Sequence, residues 1–251
     1  MPLVSVLILT RNRAQLLEAA LRSISRQTLR DFEIVLVNDG STDETASVID
    51  AFGHLNLHVI HHAASAGITK SRQEALEASR GEFIAVLDDD DEWADEKKLE
   101  KQVGYLRSHP NAVLVGGGRL LRKPGHTSED NLNAIFRPER DASIRKTMLL
   151  RNNFFTSTVL FRRSAAMAAG GFIFDGTDVT EDYDLWLRLG KQGAMYNFPE
   201  PLDIYRVPNY TTENFKRFLR KQLSLIDRHR EDYPYYWLSR LILKCRIAVG
   251  V

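Results

Sequence analysis

The chain cannot hold itself together with disulfides, because Cys245 is the single cysteine among its 251 residues. It also lacks a long hydrophobic run: no uncharged stretch approaches the about 20 residues that cross a bilayer as a helix. The N-terminus has neither a basic leader nor an extended apolar segment. With the scarcity of cysteine, this gives the expectation of a reducing, cytoplasmic location. Net charge is scarce too, at +1, so nothing global argues for a nucleic-acid partner. No internal repeat or low-complexity segment is apparent. What remains is 43% hydrophobic and 27% charged, the balance of a soluble, enzyme-sized chain that buries one core or two closely joined lobes.

The N-terminal part alternates apolar runs with helical patterns. Val4–Leu9, Phe32–Val37, Leu57–Ile60 and Phe83–Leu87 read as strands, and segments at about 14–26, 43–52 and 67–79 read as helices. A βαβαβαβ order implies a parallel sheet covered on both faces, a Rossmann-like half. Ser41 and Glu44 have capping-box spacing, which predicts a helix start there. Asp39-Gly40 falls at a strand end, where such sheets open towards ligands.

The fourth apolar run ends in Asp88-Asp89-Asp90-Asp91-Glu92-Trp93. Clustered carboxylates at the C-terminal end of a buried strand can hold Mg²⁺ or Mn²⁺, hard cations that complete their shell with substrate phosphates. A phosphorylated donor is therefore the expected partner. The competing explanation is a solvated acidic turn favoured by the positive start of the next helix.

Several separated segments resemble family 2 glycosyltransferases, which have a GT-A fold and use nucleotide-sugar donors. They are Leu9–Arg13, Val37–Asp43, Gly67–Arg72, Gly81–Trp93 and Thr180–Arg188, in the family's order over roughly residues 3–207. The resemblance implies a GT-A catalytic domain over 1–207, with a nucleotide-binding half to about 110 and an acceptor half beyond it. It makes Asp88-Asp89-Asp90 the family's Asp-x-Asp element. Asp90, with Asp88, would bind the cation, and Asp88 and Asp89 would lie near the donor's ribose and sugar. It sets Asp39, Thr10 and Arg11 around the nucleoside, Arg72 near the base or donor, and Arg206 near the diphosphate. Where the family often has tyrosine this chain has Arg11, so guanidinium stacking would replace a phenol ring. Trp93 is expected to anchor the following helix.

Beyond about residue 110 the pattern is less regular. Phe154–Arg162 reads as a strand, Gly170-Gly171-Phe172 as a turn, and Glu181–Leu189 as an amphipathic helix whose Tyr183, Trp186 and Leu187 share a core face. Acids at a helix start are locally favourable without any catalytic role. By resemblance, however, Asp182 is the catalytic base and Glu181 its neighbour or substitute. The implied reaction is a single displacement with inversion: the base takes the proton of an acceptor hydroxyl while the cation stabilises the departing nucleoside diphosphate. UDP-sugars are the default donors by resemblance, with GDP- and dTDP-sugars left open because Asp39 and Arg72 do not decide the base, and the expected acceptor is a glycan or a lipid-linked acceptor in surface polysaccharide or glycolipid synthesis.

The seven histidines form no convincing metal site. Adjacent His61 and His62 would point to opposite faces of a strand and are read as surface or strand-end residues. The segment 208–251 is locally basic and reads as amphipathic helices. Such helices suit an anionic membrane surface, packing across the catalytic domain, or a homodimer contact. Two other functions share parts of the pattern. A sugar nucleotidyltransferase would need a Gly-rich, Lys-bearing triphosphate loop, which the N-terminus lacks. A noncatalytic nucleotide-sugar-binding scaffold would bind donor without turnover.

Overall fold

A computed structural model describes residues 1–122, 132–174, 176, 179–207 and 212–249. Its first half runs β1 (Val4–Thr10), α1 (Ala14–Ser25), β2 (Phe32–Asn38), α2 (Thr45–Ala51), β3 (Leu57–His61), α3 (Ile68–Ala78) and β4 (Phe83–Val86). The alternation of β1 explains the layering. Val4, Val6 and Ile8 join α1 in one apolar cluster, while Leu7 joins the other, beneath α3. In this half β1 pairs in parallel with β2 and β4, and β2 with β3. The C-terminal ends of these strands therefore open along one edge.

The chain continues through β5 (Glu92–Trp93), α4 (Lys98–Ser108), β6 (Ala112–Arg122), β7 (Asn133–Ile135), α5 (Asp141–Thr147), β8 (Leu160–Arg162) and α6 (Arg163–Ala168). It then forms α7 (Glu181–Gly190), β9 (Ala194–Arg206), α8 (Thr212–Arg228) and α9 (Tyr236–Val249). The strand order is β3-β2-β1-β4-β8-β6-β9-β5, with β7 pairing to β6. β8 inserts antiparallel beside β4, and the long β6–β9 parallel pair extends the sheet.

The C-terminal helices are packed into this body. Leu219, Leu225, Ile226, Tyr233 and Leu243 belong to the same cluster as Leu7 and Trp186. The start of the basic segment, at 208, lies outside the described residues. No described helix is long and apolar enough to cross a membrane.

Two local expectations are corrected. The helix after Gly40 starts at Thr45, not at Ser41, and its N-cap position is Glu44, which makes no side-chain capping bond. Asp43 Oδ1 accepts from the Thr45 N–H at 3.1 Å, and Ser41 Oγ instead accepts from the Asn12 N–H at 3.0 Å. Between Phe154 and Arg162 only Leu160–Arg162 is strand, since Thr156–Thr158 forms a 3-10 turn. The turn has a physical reason. Ser157 Oγ donates to Asp91 at 2.5 Å and the Ser157 carbonyl accepts from Trp93 Nε1 at 2.8 Å, so this backbone serves the acidic loop instead of a ladder.

Candidate active site

The four aspartates after β4 separate by exposure. The side chains of Asp88 and Asp90 are 36% and 34% exposed, whereas those of Asp89 and Asp91 are 6% and 1% exposed. Two carboxylates therefore face the open edge of the sheet and two face inward. Asp91 is held by Ser157 and lies 3.6 Å from Arg119. Burial, and then the neighbouring Asp203 carboxylate, push the Asp91 carboxyl well up from its ordinary range. Burial likewise raises Asp89 to about 6, although Arg13 and Thr10 pull it down.

Three arginines offset the repulsion within this loop. Arg13 Nη1 donates to Asp89 Oδ1 at 2.8 Å and to Asp90 Oδ2 at 3.0 Å. Arg72, buried on α3, donates through Nη2 to Asp88 Oδ1 at 2.5 Å and through Nη1 to Glu181 Oε1. Arg119 is anchored by Asp203, its partner across the β6–β9 pair, and lies over the rings of Phe155 and Tyr205 at 4.4 and 4.2 Å from their centres. Arg72 thus joins the aspartate loop to Glu181, which lies 109 positions along the chain from the arginine itself. Burial would lower its guanidinium, but Asp88 and Glu181 outweigh burial and hold it charged.

The two acids at the start of α7 differ. Glu181 is buried against Arg72, and burial pushes its carboxyl up to about 7 despite that cation, with the Asp182 charge adding to the rise. Asp182 is only half-buried. Its Oδ2 accepts from Thr156 Oγ1 at 2.5 Å and its Oδ1 from the Tyr183 N–H at 2.6 Å. No arginine hydrogen-bonds it among the described residues, although the Arg72 charge is close enough to act on it. The aromatic face behind it is core: Tyr183 and Trp186 are buried, and Tyr183 Oη donates to the Met148 carbonyl.

A second polar cluster forms at the ends of β1 and β2. Thr10 and Asp39 are neighbours there, since the Asp39 N–H donates to the Thr10 carbonyl at 2.9 Å, and Arg11 beside them is exposed. Asp39 accepts from His62 Nδ1 at 2.7 Å, Ser65 Oγ at 2.6 Å, and the N–H groups of Ala66 at 2.7 Å and Gly67 at 3.3 Å. Burial alone would raise this carboxyl; the hydrogen bonds outweigh it and hold Asp39 at about 2. Gly40, at φ +75°, makes the approach feasible, because a Cβ there would sit 3.0 Å from the Ala64–Ser65 backbone.

Both histidines stand at the end of β3 as expected, His61 exposed and His62, the next residue, with its side chain only 13% exposed. His62 lies between Asp39 and Glu74, its Nε2 2.7 Å from Glu74 Oε2. The Asp39 bond, more than the opposing burial, raises its pKa. Arg206 stands apart from the convergence, donating to Glu92 Oε1 at 3.1 Å. Trp93 is buried, with the ammonium of the fully buried Lys98 4.4 Å from its ring centre. Sequence reasoning missed Arg13, His62 and Thr156. Arg13 had a signal, as the last residue of the first segment resembling the family, whereas His62 and Thr156 had none because their partners are distant in sequence.

Among the described residues, no three His, Cys, Asp or Glu side chains form a ready metal cage. Asp88 and Asp90 nevertheless present hard oxygen donors on the accessible side of the loop. Such a pair suits Mg²⁺ or Mn²⁺ when diphosphate and water complete the shell.

Residues 5–169 match the family model described as glycosyl transferase family 2. The chain belongs to that family. It is 27% identical over 233 residues to the putative teichuronic acid biosynthesis glycosyltransferase TuaG of Bacillus subtilis, covering 92% of this chain and 89% of the relative. It is 30% identical over 202 residues to the amylovoran biosynthesis glycosyltransferase AmsE of Erwinia amylovora, covering 79% and 73%. Its fold matches the mannosyltransferase PcManGT from Pyrobaculum calidifontis in complex with GDP-Man and Mn²⁺, at TM-score 0.71 and 20% identity, over 98% of this chain and 70% of that one. S. aureus TarS 1-349 in complex with UDP aligns at TM-score 0.64 and 21% identity, over 89% of this chain and 65% of that one. This family 2 chain spans only 39% of the longer TarS chain. These matches agree with the expected GT-A fold, a sheet flanked by helices.

Proposed function

We propose that the protein is an inverting, metal-dependent glycosyltransferase that moves a sugar from a nucleotide-diphosphate donor, by default a UDP-sugar, to an acceptor hydroxyl in surface polysaccharide synthesis. One observation carries this reading: Arg72 bridges Asp88 and Glu181, bringing an outward acidic pair at a strand end next to an acid pair at a helix start. A transfer site needs that neighbourhood, with leaving-group stabilisation on one side and a proton acceptor on the other.

Asp88 and Asp90 would hold the cation, which supplies positive charge to the departing diphosphate. Thr10, Arg11 and Asp39 would line the nucleoside pocket. To accept from a base or ribose, the Asp39 carboxylate must give up one of its present bonds, and the Ser65 hydroxyl is the donor most easily rotated away. Asp182, with Thr156 fixing its orientation, would take the acceptor proton. Arg206 would approach the diphosphate only by leaving Glu92. The relatives' names support the polysaccharide assignment, and the UDP and GDP-Man complexes of similar folds support a nucleotide-sugar donor.

The test is a panel of nucleotide-sugars incubated with Mg²⁺, Mn²⁺ or chelator, following nucleoside diphosphate release and the anomeric configuration of the product by NMR. Metal-dependent diphosphate release with inversion is the expected result. Pyrophosphate release would identify a nucleotidyltransferase, and tight donor binding without turnover a scaffold.

A further inference from the structure

The two C-terminal helices treat their apolar residues in opposite ways. α8 turns Leu219, Leu225 and Ile226 into the core. α9 buries only Ser239 and Leu243, with Tyr236 and Ile247 partly covered, and leaves Trp237 76%, Leu238 47%, Leu241 61% and Val249 72% exposed. Ile242 and the single cysteine, Cys245, are exposed as well. At about 3.6 residues per turn, the i, i+4 and i, i+3 spacing of these six residues puts them on one side of the helix, opposite Ser239 and Leu243. A helix apolar on both faces is normally enclosed, and a contiguous exposed apolar face marks an interaction surface.

The charges around that face point to its occupant. α9 contains Arg240, Lys244 and Arg246 and no acidic residue. Arg240 turns towards α8, where it pairs with Asp227, and Arg246 lies over the Phe215 ring. On the wheel, Lys244 and Arg246 flank the apolar side on its two edges. A two-fold contact between copies through α9 would bring those cationic edges towards each other, and α9 itself carries no acid to meet them. An anionic lipid surface satisfies both parts of the pattern: acyl chains accept Trp237, Leu238, Leu241 and Ile242, while headgroup phosphates meet the basic edges.

We propose that α9 is a membrane-surface helix that seats the protein on anionic lipid through its outward Trp237–Val249 face. The seat is mechanically joined to the candidate active site. Tyr233 Oη donates to the Leu187 carbonyl at 2.7 Å, and His229 Nε2 lies 3.1 Å from Asp184 Oδ1. Both contacts fix the α8–α9 hairpin to α7, the helix that begins with Glu181 and Asp182. The lipid surface does not depend on the donor assignment, so either can fail without the other.

Trp237 is a built-in probe, because Trp93 and Trp186 are 2% and 0% exposed. With vesicles of phosphatidylcholine mixed with phosphatidylglycerol, the full chain should sediment with lipid. Its tryptophan emission should shift to the blue and be quenched by lipids brominated in the acyl chain. The paired substitution W237S/L241S should weaken partitioning by about tenfold or more without changing UDP affinity or the melting temperature. Lys244→Gln should weaken it about fivefold on anionic vesicles and leave neutral vesicles unaffected. The proposal is overturned if the parent protein does not bind anionic vesicles. It is also overturned if the face is covered instead by a concentration-dependent dimer, with Trp237 shielded from an aqueous quencher and unresponsive to lipid.

Discussion

The two acidic regions of the candidate site, the loop after β4 and the first turn of α7, contain the same functional group in opposite electrostatic settings. In the loop, Arg13 and Arg72 bind the aspartates from two sides, so Asp88 and Asp90 can lie close together on an accessible face. On α7, the arginine takes only Glu181, and Asp182 is left with a hydroxyl and one backbone N–H. A cation site needs several carboxylates kept near one another, and their mutual repulsion must be offset. A base needs a carboxylate that no neighbouring cation has already claimed. The difference shows how Arg72 can serve both regions, pairing directly with a member of each while making no hydrogen bond to Asp182.

The strongest way to break this comparison is to remove the shared arginine. Arg72→Met should lower stability by about 3–5 kcal/mol, because it leaves Glu181 and Asp88 without their buried partner. Urea unfolding measures this. Adding Glu181→Gln should recover part of the loss by removing the stranded charge. An Arg72→Met variant as stable as the parent would mean that Arg72 does not join the two regions energetically.

Asp182→Asn separates the regions by function. Transfer should fall by at least about a hundredfold, while calorimetry with UDP and Mn²⁺ finds donor and metal binding nearly unchanged. Glu181→Gln should have the smaller effect on rate. The reverse ranking would make Glu181 the base, and full activity in both variants would leave the pair a structural one.

Within the loop, exposure should separate function from support. Asp90→Asn should weaken metal-dependent UDP binding by about tenfold or more, since it removes a charged oxygen ligand. Asp91→Asn should preserve that affinity, because Asp91 is turned inward to Ser157 and Arg119. Equal losses in the two variants would erase the outward–inward distinction.

The smallest expected effect concerns His62, which supports Asp39 outside both acidic regions. Its pKa is raised above the ordinary 6.5, so the ion-pair stability it adds is fully present below about 6.5 and is lost as pH rises through the folded value. His62→Ala should therefore lower stability by about 1–2 kcal/mol at pH 6 and by less at pH 9. Melting curves at the two pH values test the sign. A pH-independent difference would assign His62 a neutral hydrogen-bonding role alone.

Much of the first half was legible because its determinants are local and periodic. Predicted Val4–Leu9 became Val4–Thr10, and the runs at Phe32, Leu57 and Phe83 all became strands of the parallel sheet. Alternation along β1 and apolar spacing along α1 require no knowledge of distant partners. The failures arose where a distant partner decided the conformation. Ser41 was drawn to the Asn12 backbone instead of capping α2, and Ser157 to Asp91 and Trp93 instead of continuing a strand. His62 does stand at a strand end, but its bonds to Asp39 and Glu74 were not legible because neither partner is adjacent to it in the chain.

The sequence alone determined the element order of the parallel half, the placement of four aspartates at a strand end, and the two acids at the start of α7. Hydrophobic period and helix-end electrostatics are written in neighbouring residues, so folding need only carry them out. Tertiary structure decided which aspartates face outward, that Arg72 spans the two acidic regions, and that α9 rather than α8 leaves an apolar face exposed. Those outcomes depend on how separate elements compete for buried space and on which charges must be paired once water is excluded.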